Sequence, residues 1–157
     1  MTVTGHLDAI DWRILRTLQE NGRITNVELA EKVGLSPPPC LRRVRALEES
    51  GYIAGYRATL NAEKLGFEVM VFAMVGLKSQ AESELTQFIA RVKSWPLVRE
   101  CYAVSGEADF MLKCVGPNLH AMQDFIIKDL TAAANVDSVK TTLILRQEKY
   151  EPGIPLA

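Results

Sequence analysis

Three arginines stand close together in one segment of the sequence and could bind a polyanion. Arg42, Arg43 and Arg45 follow Ser36 and the proline run Pro37–Pro39. A guanidinium group can bind phosphate oxygens or make a bidentate pair of hydrogen bonds to guanine, and small neighbouring residues allow close approach. If the segment is helical, this combination predicts a recognition helix that lies in the major groove of DNA.

The flanking residues predict that the arginines lie on the second helix of a helix-turn-helix. A first helix begins at Thr25 or Asn26, either of which can accept a hydrogen bond from an unpaired backbone N–H, and it stops at Gly34. Ser36 is predicted to cap the second helix, whose first position suits proline, and Gly51 is predicted to end it. Two helices joined by such a short turn are typical of DNA-binding proteins.

Each helix of this pair has an apolar side that must pack inward. The inward residues of the first helix are predicted to be Val27, Leu29, Ala30 and Val33. At about 100° per residue, Leu41, Val44 and Leu47 share one side of the second helix with Cys40. The predicted DNA-binding residues on the other side are Ser36, Pro38, Pro39, Arg42, Arg43 and Arg45. The alternative is an ordinary solvent-facing helix whose arginines serve solubility.

The segments on either side complete a small N-terminal domain. Asp8 is predicted to cap a helix that runs to about Asn21, with Ile14 on its buried face. Ile53–Leu60 alternates loosely and predicts a strand leading away, and residues 61–66 predict a hinge. The three helices would share one core, but a helical domain of roughly 60 residues is marginal by itself. We therefore expect the C-terminal half to supply assembly.

The C-terminal half has a different pattern, which predicts a ferredoxin-like domain. Apolar runs rich in Val and Phe predict four strands, and apolar residues at helical spacing predict two helices. The strands are placed at Glu68–Leu77, Val98–Ser105, Phe110–Val115 and from Val136 through Leu145, and the helices at Glu82–Lys93 and after Pro117-Asn118. The order βαββαβ predicts an antiparallel sheet with both helices on one face. A second copy of the chain is the natural cover for the other face.

Short motifs along nearly the whole chain match those of one protein family. In the N-terminal half they are Leu7-Asp8, Asp11, Ile14-Leu15, Gly22-Arg23, Asn26-Val27-Glu28-Leu29, Gly34-Leu35-Ser36, Arg43-Val44, Leu47-Glu48 and Gly51-Tyr52-Ile53. In the C-terminal half the segment Val104–Phe110 contains Gly106-Glu107-Ala108-Asp109, a G-x-x-D turn. On these motifs the chain resembles the Lrp/AsnC (leucine-responsive, feast/famine) family of transcription regulators.

The resemblance implies that the G-x-x-D turn helps to form a pocket between neighbouring subunits, in which the usual ligand is an amino acid. A glycine turn can expose backbone N–H groups to a carboxylate, and Asp109 can face an ammonium group. Tyr102 and Thr142, predicted on adjacent strands, could line the same pocket, as could Leu119 at a helix start. The predicted effector-binding residues are Tyr102, Gly106, Glu107, Asp109, Leu119 and Thr142. The alternative is a plain hairpin turn in which Asp109 bonds its own backbone.

Charge and hydropathy limit the partners and the location of the chain. The net charge of −1 divides into +1 for residues 1–61, which hold 8 Lys and Arg against 7 Asp and Glu, and −2 for residues 62–157, which hold 10 against 12. The basic patch of one monomer gives only weak non-specific affinity for DNA, which favours a dimer or a larger assembly. The sequence has neither a secretory signal nor an apolar run of the ~20 residues that span a membrane, so we expect a cytoplasmic, nucleoid-associated protein.

The titratable residues predict no enzyme, no metal site and no cofactor. His6 and His120 have no obvious catalytic partner, and the chain has neither a P-loop nor a G-x-G-x-x-G motif. The three cysteines lack metal-ligand spacing and predict reduced thiols. If Glu107-Ala108 is a two-residue turn, Cys101 and Cys114 lie directly opposite on paired strands, and a redox link between them is conceivable.

We therefore expect an α+β protein with two domains. Residues 1–61 are predicted to form a helix-turn-helix (winged-helix-like) DNA-binding domain with a connecting strand, and residues 62–157 a ferredoxin-like βαββαβ domain for effector binding and oligomerisation. The expected function is sequence-specific binding of double-stranded DNA as a transcription regulator, with an amino-acid effector that shifts assembly or DNA binding. By resemblance, the dimers associate further into tetramers or octamers. The alternatives are an effector-independent architectural DNA-binding protein and an amino-acid sensor that acts without DNA.

Overall fold

The computed structural model describes residues 7–156, which form two compact units. The first unit comprises the chain up to residue 59 together with the C-terminal segment from residue 150, and the second comprises residues 60–149. The elements are α1 Ala9–Glu20, α2 Asn26–Val33, α3 Pro37–Glu49, β1 Val69–Leu77, α4 Glu82–Ser94, β2 Val98–Ala103, β3 Phe110–Gly116, α5 Leu119–Asp124 and β4 Val136–Leu143. A 3₁₀ turn at Glu63–Leu65 precedes β1, and α5 continues into a π-helical turn at Phe125–Leu130.

Side-chain caps define the starts of the first two helices. Asp8 Oδ1 accepts hydrogen bonds from two backbone N–H groups in the first turn of α1, at 2.8 and 2.9 Å. Thr25 Oγ1 accepts a hydrogen bond from the Glu28 N–H at 3.3 Å, and Glu28 Oε2 accepts one from the Thr25 N–H at 2.9 Å. Gly34 ends α2 at φ 77°, where a residue without a side chain meets no steric penalty. The predicted caps of these two helices are confirmed, with Thr25 rather than Asn26 at the start of α2.

Two predictions about the first unit are wrong. Ser36 occupies the cap position of α3, but its side chain makes no capping hydrogen bond. Asn26 Nδ2 instead donates to the Pro37 carbonyl at 2.8 Å, so a side chain of α2 contacts the start of α3. Ile53–Leu60 forms no strand, because none of the four strands pairs with it and a lone extended segment lacks a ladder of backbone hydrogen bonds.

The core of the first unit joins all three helices. Its buried residues are Ile14, Leu29, Ala30, Val33, Cys40, Val44 and Leu47. Val27 and Leu41 were predicted to face inward, but they are 63% and 38% exposed. Both side chains lie at the edge of the apolar side of their helix, where the neighbouring helix does not cover them.

The second unit is a four-stranded antiparallel sheet in the order β2-β3-β1-β4, which confirms the ferredoxin-like prediction. The observed β2 and β4 end slightly earlier than predicted, at Ala103 and Leu143. One face of the sheet packs against α4 and α5; its buried residues include Val71, Ala73, Val75, Phe110, Leu112 and Cys114. The opposite face, which we call the open face, carries the alternate residues of the same strands.

The strand register excludes the predicted pairing of Cys101 with Cys114. Residues 104–109 connect β2 to β3, so the turn is longer than Glu107-Ala108, and Cys101 lies opposite Leu112. All three cysteines are free. Burial, together with the nearby Cys101, raises the pKa of the Cys114 thiol to about 11, and a protonated thiol is unreactive towards oxidants and disulfides.

Within residues 7–156, no helix has the length and apolar character needed to cross a membrane. The same part of the chain contains no group of three or more His, Cys, Asp or Glu side chains that could hold a metal ion.

Candidate nucleic-acid interface and effector site

The exposed side of α3 forms a continuous surface of small, apolar and charged residues, two of them arginines and one a glutamate. This α3 outer surface is lined by Pro38, Leu41, Arg42, Arg45, Ala46 and Glu49. Arg42 and Arg45 make no ion pair within residues 7–156, so both guanidinium groups are available to an external anion. Three of the predicted DNA-binding residues, Pro38, Arg42 and Arg45, therefore share one accessible surface.

Arg43 has a different environment from the other two arginines. Its Nη1 donates to Asp8 Oδ2 and to Asp11 Oδ1, both at 2.8 Å, so the side chain of α3 bridges to the start of α1. The remaining oxygens of the two carboxylates are also used: Asp8 Oδ1 caps α1, and Asp11 Oδ2 accepts from the Asp8 N–H at 3.1 Å. Every carboxylate oxygen in this Arg43–Asp8–Asp11 cluster therefore has a hydrogen-bond donor.

The electrostatics of the cluster hold Arg43 in place. The carboxylates of Asp11 and Asp8 raise the pKa of the Arg43 guanidinium. The backbone N–H of Asp11, followed by the Arg43 guanidinium, lowers the pKa of the Asp8 carboxyl. Two carboxylates already neutralise the Arg43 charge, so this residue is poorly suited to bind a phosphate directly. The sequence carried no clear signal for the cluster, because an acidic pair at the start of a helix is already explained by capping and by the helix dipole.

The other predicted residues lie at the N-terminal end of α3. Ser36 precedes the helix and is exposed, whereas Pro39 is half-buried. Three further residues line the same outer surface. Helical periodicity also places Ala46 there, whereas Leu41 and Glu49 were not predicted to bind DNA. Leu41 was missed because helical periodicity assigned it to the core, where it lies only at the margin.

Asp109 joins two loops of the second unit. Its Oδ2 accepts a hydrogen bond from the Leu77 N–H at 2.7 Å, and its Oδ1 accepts from Gln80 Nε2 at 2.8 Å. Its own backbone N–H donates to the Val75 carbonyl at 2.9 Å. The Asp109 carboxylate therefore bonds the end of β1 and the loop that follows it, and not its own turn. The Asp109 carbonyl does bond the turn, since it accepts from the Val104 N–H at 3.0 Å.

A third loop meets these two at the same end of the sheet. Asn135, at φ 69°, exchanges two side-chain hydrogen bonds with the Ser79 backbone, both at 3.0 Å. Glu107 Oε2 lies 3.3 Å from Lys140 Nζ on β4. Gly106 is exposed at φ 125° in a conformation that favours glycine. The structure thus brings Gly106, Glu107 and Asp109 together on a hydrogen-bonded rim formed by three loops.

The other three predicted effector residues do not join this rim within one chain. Tyr102 is on β2 and Thr142 on β4, which are the opposite edges of the sheet, so the prediction of adjacent strands is wrong. With β3 and β1 between them, the two strands lie about 14 Å apart. Leu119 follows the far end of β3, about 20 Å along the strand from Asp109. A pocket that contains Asp109 and Leu119 would therefore need residues from two chains.

Two family models match the chain, one in each half. The model described as winged helix-turn-helix DNA-binding matches residues 7–54. The model described as Lrp/AsnC ligand binding domain matches residues 70–154.

Individual proteins match both halves together. The leucine-responsive regulatory protein of Rhizobium meliloti is 62% identical over 149 residues, which is 95% of this chain and 96% of that protein. The Bkd operon transcriptional regulator of Pseudomonas aeruginosa is 41% identical over 150 residues, with 96% and 98% covered. The structure of a transcriptional regulator of Neisseria meningitidis in complex with L-Met has a TM-score of 0.92 at 37% identity, covering 96% of this chain and 97% of that one.

The three arginines are expected to differ in how their loss changes the salt dependence of DNA binding. A plot of log K for DNA binding against log [salt] has a negative slope. Arg42→Ala and Arg45→Ala should each make this slope shallower by about 0.9 for each phosphate contact removed. Arg43→Ala should weaken binding but leave the slope unchanged, because it releases α3 from α1 without removing a phosphate contact. Fluorescence anisotropy with a duplex of random sequence measures all three slopes. If Arg43→Ala makes the slope as shallow as Arg42→Ala does, Arg43 binds phosphate directly.

Proposed function

Because the chain belongs to the Lrp/AsnC family of transcription regulators, we propose that it binds specific DNA sites through the α3 outer surface and that an aliphatic L-amino acid controls this binding. The observation that carries the proposal is the presence, in one chain, of two features: an outer surface on α3 with two arginines that make no ion pair within residues 7–156, and a domain that matches the Lrp/AsnC ligand binding domain and has a hydrogen-bonded rim. The proposed activity is binding, without catalysis or a cofactor, and it takes place in the cytoplasm, where the DNA is.

The proposed DNA contacts divide between positioning and base recognition. Arg42 and Arg45 supply guanidinium groups for phosphates or for the acceptor atoms of guanine. Ser36, Pro38 and Pro39 lie at the N-terminal part of α3, which usually approaches the bases most closely. Arg43 holds the helix in orientation through α1.

The proposed effector site is built on the rim of Gly106, Glu107 and Asp109. The exposed glycine allows a ligand carboxylate to approach backbone N–H groups, and the Asp109 carboxylate retains lone pairs for an ammonium group. Residues of a second chain complete the pocket, which is how Tyr102, Leu119 and Thr142 could take part. Relatives named for a response to leucine, and a relative solved with L-Met, support an aliphatic side chain in the ligand.

The proposed assembly covers the open face of the sheet with a second copy of the chain. The half-buried apolar side chains on this face are Met70, Phe72, Met74, Met111 and Val115. Lys113 lies opposite Phe72 among these side chains and is paired with Glu100 at 2.7 Å. Apolar side chains grouped around a neutralised charge favour a self-complementary contact between two copies. The dimers would present two copies of α3, and further association would give the tetramers or octamers expected from the resemblance.

Selection of binding sites from a random duplex library tests the DNA-binding proposal. We expect the selected sequences to converge on a roughly two-fold symmetric site whose half-sites lie about one helical turn apart, because a dimer presents two recognition helices. Binding to that site should change when L-leucine or L-methionine is added, and D-leucine is the control. If the selection does not converge, the chain binds DNA as an architectural protein.

Asp109→Asn is expected to weaken amino-acid binding without opening the rim. The asparagine keeps an oxygen that can accept from the Leu77 N–H, but it removes the negative charge that would face the ligand ammonium group. Calorimetric titration should therefore show affinity reduced by about tenfold or more. Asp137→Asn, on exposed β4, is the matched control and should bind like the original chain. Unchanged affinity in Asp109→Asn would limit Asp109 to a structural role.

Met74→Lys is expected to separate the proposed dimer. The new ammonium group would lie on the open face beside Lys140, which is paired with residue 74 across the β1–β4 ladder. Light scattering should then give the mass of a single 17.4 kDa chain. Ile127→Lys introduces the same charge on the helical layer, at a side chain that is 63% exposed, and should retain the dimer. Dimers in both variants would move the interface away from the open face.

A further inference from the structure

A groove on the first unit, which we call the DNA-binding unit, holds residues 152–156 of the same chain, and we call this segment the tail. The groove lies between α1 and the segment that follows α3, and a cavity of about 310 Å³ separates these walls from Ile154 and Leu156 of the tail. We propose that this tail groove is a peptide-binding site, and that its ligand is the chain's own segment of residues 152–156. The proposal does not depend on which DNA sequence or which amino acid the chain binds.

Gln19 recognises the backbone of this segment. Gln19 Nε2 donates to the Ile154 carbonyl at 2.8 Å, and the Ile154 N–H donates to Gln19 Oε1 at 3.1 Å. One side-chain amide thus satisfies both backbone groups of a single residue, as a neighbouring strand would. The contact is made to the backbone of the extended segment and not to a side chain. Proteins that bind extended peptides commonly use backbone hydrogen bonds of this kind.

Gly153 is required by the same contact. A Cβ atom at this position would lie 2.6 Å from Gln19 Oε1 and 2.7 Å from its Cδ, and φ is +118°, where residues with side chains are strained. The glutamine could move aside only by giving up its two hydrogen bonds. The groove therefore selects a residue without a side chain immediately before Ile154.

Apolar contacts and prolines complete the recognition. Leu156 is half-buried in the groove, where Trp12 and Leu15 of α1 and Tyr52 form part of the wall. Another wall residue, Tyr56, is fixed because its hydroxyl donates to Glu48 Oε1 at 2.8 Å. Pro152 and Pro155 restrict the free segment to extended conformations, so less conformational entropy is lost when it binds.

Binding of the tail has a stabilising role in the DNA-binding unit. The core of that unit contains only a few fully buried side chains, and helical domains of this size are marginal by themselves. The tail adds apolar cover to the outer side of α1, the helix whose first turn holds Arg43. We therefore expect the bound tail to protect α1 from local unfolding.

Hydrogen exchange in full-length variants tests the contact. Gln19→Met keeps the size of the side chain and removes both hydrogen bonds, and Gly153→Ala introduces the clash and the strain. Both variants should exchange the amides of α1 on the order of tenfold faster than the original chain. Glu20→Ala, at the exposed end of the same helix, is the control and should leave the exchange unchanged. Unchanged exchange in both test variants would overturn the proposal.

A peptide supplied separately tests recognition directly. A chain that ends at Lys149 should bind a fluorescent peptide with the sequence of residues 150–156, and binding should restore the exchange rates of α1. The same peptide with Gly153→Ala should not bind. If neither peptide binds to the folded shortened chain, the tail groove is not a peptide site. Should the shortened chain fail to fold, the exchange rates of the two full-length variants decide the question.

Discussion

One guanidinium group, held between two carboxylates, joins α3 to the start of α1. Arg43 on α3 contacts Asp8 and Asp11, which themselves cap the first turn of α1. The bonds that begin one helix therefore also fix the position of another. Rotation of α3 about its axis would break both ion pairs, including the one with Asp11, whose side chain is only 16% exposed. Arg42 and Arg45 line the outer surface of the same helix.

The second unit also uses side-chain carboxylate and amide groups to satisfy backbone groups where its strands end. Asp109 satisfies the N–H of Leu77 at the end of β1, and Asn135 satisfies the backbone of the next loop. These side chains extend the hydrogen bonding beyond the ends of the strands, where a backbone bond from the Lys78 N–H to the Asn135 carbonyl, at 2.9 Å, also joins two of the loops. A ligand that binds such a rim meets groups already fixed in place, so little ordering entropy opposes its binding.

Local patterns predicted most of the fold but not the partners of individual side chains. The caps at Asp8 and Thr25, and the alternation of helix and strand, follow from short-range chemistry and were predictable. The separation of Tyr102 from Thr142 follows from strand order, which places the last strand beside the first. The role of Arg43 depends on residues more than thirty positions away, and periodicity carries no information about such a pair. The position of Cys101 depended on the length of a loop, which composition does not determine.

The DNA-binding unit is built from two separate stretches of the chain. Its helices come from the first sixty residues or so, and its last segment begins at residue 150. Gln19 and Ile154, which bond to each other in this unit, are 135 positions apart in the chain, so their contact closes a long loop and costs conformational entropy. The second unit, residues 60–149, lies wholly within that loop. Once the second unit has folded, the flexible part of the loop is much shorter, and the first unit gains its last segment at a lower entropic cost.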